Sequence, residues 1–167
     1  MDEKMDETKS QPQNMPVFMI EKIYIKDISL EIPNAPAAFL ETASPETGIQ
    51  LQIAHGRLGD DLYDSRLTVT VTAKLGEKTA FLIEVAQCGI FRIQNIPETD
   101  LEALLSIACP NVLFPYAREV VSDLAIRSGL PSVILQPVNF EALYASRQQQ
   151  ESENQPSGDK ASAETLQ

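Results

Sequence analysis

The sequence predicts an α+β fold, with four strands that favour a sheet with one wet face followed by helices. Three observations predict it. Apolar and polar residues alternate in four stretches between Ile23 and Ile93, helical spacing takes over only after Pro97, and no strand–helix–strand alternation of the kind that builds parallel sheets is present.

The first strand begins at Ile23 and Ile25 and continues through Ile28, Leu30 and Ile32, so its apolar phase changes from odd to even. A bend or bulge near Lys26 and Asp27 reconciles the two halves, and beyond it Asp27, Ser29 and Glu31 share the face opposite the apolar residues. "PNAPAAF" ends the strand, because its prolines cannot donate to a ladder. A long connection leads to the second strand, where Ile49, Leu51 and Ile53 alternate with Gln50 and Gln52. The third is the clearest, with Leu67, Val69, Val71, Ala73 and Leu75 set against Thr68, Thr70, Thr72 and Lys74. "GEK" at residues 76–78 turns the chain into the fourth, where Phe81, Ile83 and Val85 point one way and Leu82 and Glu84 share the other. Gly89 marks a bend or a close backbone approach.

After "NIPETD", Thr99 or Asp100 is placed to cap a helix carrying Leu101, Leu104, Leu105 and Ala108, which Pro110 is expected to end. Pro115 fits the first turn of a second helix, leaving Val112, Leu113 and Phe114 in a non-helical segment between the two. Ala117, Val120, Val121, Leu124 and Ala125 form the stripe of that second helix, which stops at Gly129. "LPSVILQP" is extended, and Asn139 caps a last amphipathic helix. Residues 1–16 and 147–167 hold almost no large apolar side chains and are expected to be a disordered amino-terminal segment and a mobile polar tail around one domain over residues 17–146.

The 167 residues carry a net charge of −11, which repels phosphate backbones and argues against nucleic-acid binding. No apolar run reaches the roughly eighteen residues of a membrane span, and the acidic amino terminus is unlike a secretory signal, so a cytoplasmic location without direct membrane insertion is expected. Cys88 and Cys109 form no CxxC pair and read as reduced, partly buried thiols. The single histidine, His55, has no metal-ligand spacing around it and reads as a surface or loop residue; "LGDD" at residues 58–61 reads as a turn. No catalytic set, metal site or cofactor is indicated.

What stands out is apolar material in irregular segments: "APAAFL", "NVLFPY", "LPSVIL", and Phe140, Leu143 and Tyr144 on the last helix. Two readings stay open. These residues close over the sheet as core, or some of them line a groove or subunit interface.

"YIKDISLEIPNAP", "LTVTVTAKLGEKTAFLIEV", "CPNVLFPYAREVVSDL" and "PVNFEALY" together resemble the SecB family of protein-export chaperones, in order and across about residues 17–146. The resemblance implies a four-stranded antiparallel sheet with helices packed on one side, assembled as a homotetramer built as a dimer of dimers. It also implies a non-enzymatic, cofactor-free chaperone that holds unfolded preproteins in an export-competent state and delivers them to the SecA motor. It places SecA binding at Asp27, Glu31, Leu82 and Glu84, as an acidic sheet surface for a basic, zinc-containing segment of SecA. Ile83, Val85 and Gln87 resemble assembly-sensitive positions, and Ala117, Val120, Val121 and Leu124 join them as interface candidates. The client-groove candidates are Phe39, Phe114, Phe140, Leu143 and Tyr144. The family's long connection carries a tryptophan near the position of Ala43, and this chain has none. The rival reading is a small acidic scaffold protein with its apolar segments fully buried.

Overall fold

A computed structural model describes residues 14–129 and 131–153. Four strands, β1 (Val17–Glu31), β2 (Glu46–Gly59), β3 (Leu62–Leu75) and β4 (Lys78–Gln94), form one antiparallel sheet in the order β1-β4-β3-β2. The α+β prediction holds, and the strands are longer than alternation alone marks them. Two tight hairpins connect β2 to β3 and β3 to β4. Asp61 in the first and Gly76 in the second have positive φ, the conformation that reverses a chain in a few residues.

Register explains the phase change in β1. Pairing with β4 slips between Ile25 and Asp27, leaving Lys26 as the extra residue of a bulge, and slips again between Ile20 and Lys22. The Lys26 bulge puts Ile25, Ile28 and Leu30 on one face and Asp27, Ser29 and Glu31 on the other. Beside it the side-chain amide of Gln87 donates to the Tyr24 carbonyl at 3.0 Å, giving a partner to a group at the disrupted ladder.

One face of the sheet is covered by helix. Val69, Val71, Ile83, Val85 and Phe91 are fully buried there against Cys109, Leu113, Ala117 and Val121. At about 25 cal/mol per Å2 of apolar surface, each large side chain contributes roughly 1.5–3 kcal/mol. Gly89 belongs to this packing. The strand runs through it without a break, and a Cβ there would lie 2.8 Å from the Phe91 ring and 3.1 Å from Leu113, so the close-approach reading is the right one.

The expected helix break is absent. α1 (Glu98–Ala103), a π-helical stretch (Leu104–Ala108) and α2 (Cys109–Arg127) follow one another with helical backbone at each junction, so Val112, Leu113 and Phe114 are helical. The Cys109 N–H donates to the Leu104 carbonyl, five residues back; this wider turn immediately precedes Pro110 and admits its ring. Proline inside a helix costs about 3 kcal/mol. Pro110, Leu113, Phe114, Ala117, Val121 and Ala125 form one unbroken buried stripe, and that burial outweighs the local penalty.

Three further expectations change. The first cap position is Pro97, with no side-chain cap, while the Thr99 hydroxyl donates to Asp100. α3 (Phe140–Glu153) continues past Ser146, because Arg147 and three glutamines are good helix formers; the polar tail is helical for its first seven residues. His55 lies in β2, half-buried under α1, with Nε2 3.2 Å from a Glu102 carboxylate oxygen. The Asn139 cap is present, its side-chain oxygen accepting from the Ala142 N–H at 3.0 Å, and α2 ends at Gly129 with φ of +74°. The disorder expected of residues 1–13 and 154–167 lies outside the described residues.

Candidate functional site

The uncovered face of the sheet brings the acidic candidates together. Glu31 stands opposite Leu82, Ser29 opposite Glu84, and Asp27 opposite Ala86, so Asp27, Glu31, Leu82 and Glu84 share two neighbouring strands on one surface. Directly opposed side chains in such a pair sit about 5 Å apart. On the next strand Thr72, Thr70 and Thr68 continue the same rows, and the Thr70 hydroxyl donates to Glu84 at 3.1 Å. Asp27 and Glu31 are exposed, Leu82 and Glu84 half-buried. Among the described residues none of the three carboxylates has an ion-pair partner. Three uncompensated negative charges beside one apolar side chain suit a basic segment with an apolar contact.

Further along that face Tyr24 stands opposite Cys88. Burial pushes up both the Tyr24 phenol and the Cys88 thiol, so neither is ionised at neutral pH. On the helix side, burial alone pushes the Cys109 thiol up to about 12. Both cysteines are free and buried, as the sequence suggested.

The groove candidates divide. Phe140 and Phe114 are buried and meet edge to face at 5.8 Å, with the Arg118 guanidinium over the Phe114 ring at 5.0 Å. They are core that anchors the start of α3, not groove lining, because the unbroken helix turns Phe114 inward. Phe39, on a 3-10 turn (Ala37–Leu40), and Leu143 are about half exposed, and Tyr144 is half-buried. The Phe39 ring lies against Gly129 at the end of α2. Further exposed apolar residues are Leu40, Tyr116 and Ile134, each inside one of the apolar stretches "APAAFL", "NVLFPY" and "LPSVIL", and Ile126 on α2. Ile134 was legible: in "SVIL" Val133 and Leu135 are buried, and alternation turns Ile134 outward.

The interface candidates divide as well. Ile83, Val85, Ala117 and Val121 are fully buried inside the protomer, so they are its core and are not presented to a second subunit. Gln87 is also buried, with its side-chain oxygen unpartnered among the described residues. Val120 and Leu124 are half-buried on α2. The exposed apolar surface lies instead on β1, an edge strand, at Phe18, Ile20, Ile25 and Ile28 on the helix side and Met19 and Tyr24 on the other.

The family model described as preprotein translocase subunit SecB matches residues 11–151. The chain belongs to the SecB family. It is 59% identical over 143 residues to the protein-export protein SecB of Chromobacterium violaceum, covering 86% of this chain and 95% of that one. It is 56% identical over 139 residues to the same protein of Neisseria gonorrhoeae, covering 83% and 93%. Among solved structures, a Mycobacterium tuberculosis SecB-like chaperone in complex with a ChAD peptide from an antitoxin superposes with a TM-score of 0.61 at 18% identity, over 72% of this chain and 90% of that chain. That likeness shows the fold. SecB proteins are chaperones rather than enzymes, and no described helix is long and apolar enough to cross a membrane.

Proposed function

We propose that this protein is a cytoplasmic export chaperone that holds unfolded preproteins and passes them to SecA, working as a homotetramer arranged as a dimer of dimers. The observation that carries the SecA contact is the register of β1 on β4. The bulge at Lys26 is what brings Asp27 and Glu31 into line with Leu82 and Glu84 on one open face. Client holding draws on the apolar side chains outside the core, Phe39, Leu143 and Tyr144 among them. An unfolded chain exposes many segments, each binding weakly, and several sites on one tetramer act together through high effective concentration. Assembly draws on the exposed apolar row of edge strand β1, supported from within by the buried Ile83, Val85 and Gln87.

The two surfaces separate experimentally. Glu84→Lys or Asp27→Ala is expected to weaken SecA binding, and salt to weaken the unmodified protein in the same direction, while suppression of aggregation of an unfolded preprotein stays nearly intact. Equal loss of both activities with the tetramer preserved would refute separate surfaces. Failure to suppress aggregation at all would favour an acidic scaffold.

A further inference from the structure

The connection from β1 to β2 spans residues 32–45 and presents Phe39 and Leu40, which are 46% and 84% exposed. A connection of that length keeps no fixed position unless something fastens it. The fastening lies at the tip of the β3–β4 hairpin. Ala73 stands opposite Phe81 and Lys74 opposite Thr79, so Ala80 is the extra residue of a bulge in β4. Beside that bulge the Asn34 side-chain amide donates to the Thr79 carbonyl at 2.8 Å. The Asn34 carbonyl accepts from the Ala38 N–H at 2.8 Å, and the Pro36 carbonyl from the Phe39 N–H at 3.1 Å, so the same asparagine opens the 3-10 turn that carries Phe39. Apolar support beneath the turn is thin, because Ala37, Ala38, Leu75 and Ala80 are the apolar walls of a cavity of about 50 Å3 there. Among the described residues no other side-chain hydrogen bond or ion pair ties residues 32–45 to the sheet. At its far end the turn meets α2, where a Cβ on Gly129 would lie 3.5 Å from the Phe39 ring.

We propose that Asn34 is a positioning residue for client holding, the reading on which this rests: its bond to Thr79 fixes the connection so that Phe39 and Leu40 already stand where an unfolded chain meets them. A side chain that is ordered only on binding weakens the interaction it makes, and one held beforehand avoids that cost. The place calls for a donor. An aspartate of the same shape has no proton to give and sets a negative charge against the Thr79 carbonyl. Without the bond, the alanines under the turn bury too little apolar area to hold it. Asn34 acts through Phe39 and Leu40 rather than by touching client, since its amide is turned toward the hairpin.

The test crosses Asn34→Asp and Asn34→Ala, of which only the first adds a charge, with the pair Phe39→Ser and Leu40→Ser. Binding of an unfolded preprotein, reduced, alkylated and carrying one fluorophore, is titrated against the full chain. Each Asn34 variant is expected to weaken binding about three- to tenfold, the range for ordering one or two side chains. Each should also speed hydrogen exchange at the Ala38 and Phe39 amides and leave mass in solution unchanged. In the background of Phe39→Ser with Leu40→Ser the same Asn34 substitutions are expected to have no further effect on binding, because the groups they position are gone. A loss that persists in full in that background overturns the proposal, since a general weakening of the fold would be additive. Faster exchange with unchanged binding also overturns it and leaves client holding standing. Unchanged exchange shows that the bond does not hold the turn and overturns it likewise. If the unmodified protein binds no unfolded preprotein, client holding itself fails, and this proposal with it.

Discussion

β1 and β4 lie side by side along nearly their whole length, yet they end in opposite environments. β4 is flanked on both edges, and its Ile83 and Val85 are fully buried; β1 is an edge strand, and its Ile25 and Ile28, which face Gln87 and Val85 across the ladder, are 44% and 45% exposed. Both strands show apolar alternation, so the pattern alone says nothing about whether the apolar face is closed by the same chain. The difference comes from what lies above. α2 packs over β3 and β4, and on β1 Ile23 and Leu30 reach the core while Ile25 and Ile28 stay open. An interior strand therefore spends its apolar residues on protomer stability, while an exposed edge strand holds them available for another surface.

The contrast is tested most severely at the centre of the covered face. Leu113 is fully buried between the helix and β4, beside Gly89. Leu113→Ala removes packed volume where neither the strand nor the π-containing helix can readily collapse, so a loss of about 2–5 kcal/mol is expected, read as a fall in the denaturation midpoint. A loss within 0.5 kcal/mol would show that the covered face is not what holds the protomer together.

How much of this was legible in the sequence divides along the same line. The sheet was readable because period-2 alternation is local, and the phase change at Ile25 and Ile28 was enough to locate a bulge. Alternation put Asp27, Glu31, Leu82 and Glu84 on outward faces, since facing follows the strand's phase, and the family resemblance singled them out as a set. The helix break was misread because proline's penalty is local while the compensating stripe from Pro110 to Ala125 is tertiary. That Phe114, Phe140, Ile83, Val85, Ala117 and Val121 are covered within the protomer was not legible for a related reason: facing is periodic, but cover is not. His55 carries no local signal of its half-buried place in β2, because its neighbours, Glu102 and Ser106, are about fifty residues away in the chain.

A smaller effect tests how dry the covered face is. The Cys109 thiol is held neutral up to about pH 12, against a usual value of 9.0, by burial. Its stabilising contribution is therefore fully present below pH 9 and is lost as pH climbs from about 9 towards 12, because only the unfolded chain releases the proton in that window. Between pH 8 and 10 the unmodified protein should lose about 1 kcal/mol more than Cys109→Ala does. The native thiol should also resist alkylation until the protein unfolds. Parallel pH profiles for the two proteins would mean that water reaches Cys109.

The smallest effect on the protomer is expected on β1, and there the comparison is sharpest. Ile25→Lys with Ile28→Lys replaces two half-exposed side chains on a strand whose inner edge pairs with β4 on both sides of its bulges, so secondary structure content should be preserved. Solution mass is the quantity that should change, from tetramer to smaller species, because lysines on an exposed strand oppose edge-to-edge association. If mass is unchanged and the protomer is instead strongly destabilised, the exposed row of β1 belongs to the core of the single chain after all. If neither changes, that row is neither core nor interface, and the assembly contact must be sought on the half-buried Val120 and Leu124 of α2. The two strands thus differ in a way that one pair of measurements, mass and unfolding midpoint, resolves: a residue buried by its own chain moves the midpoint, and a residue buried by a neighbour moves the mass.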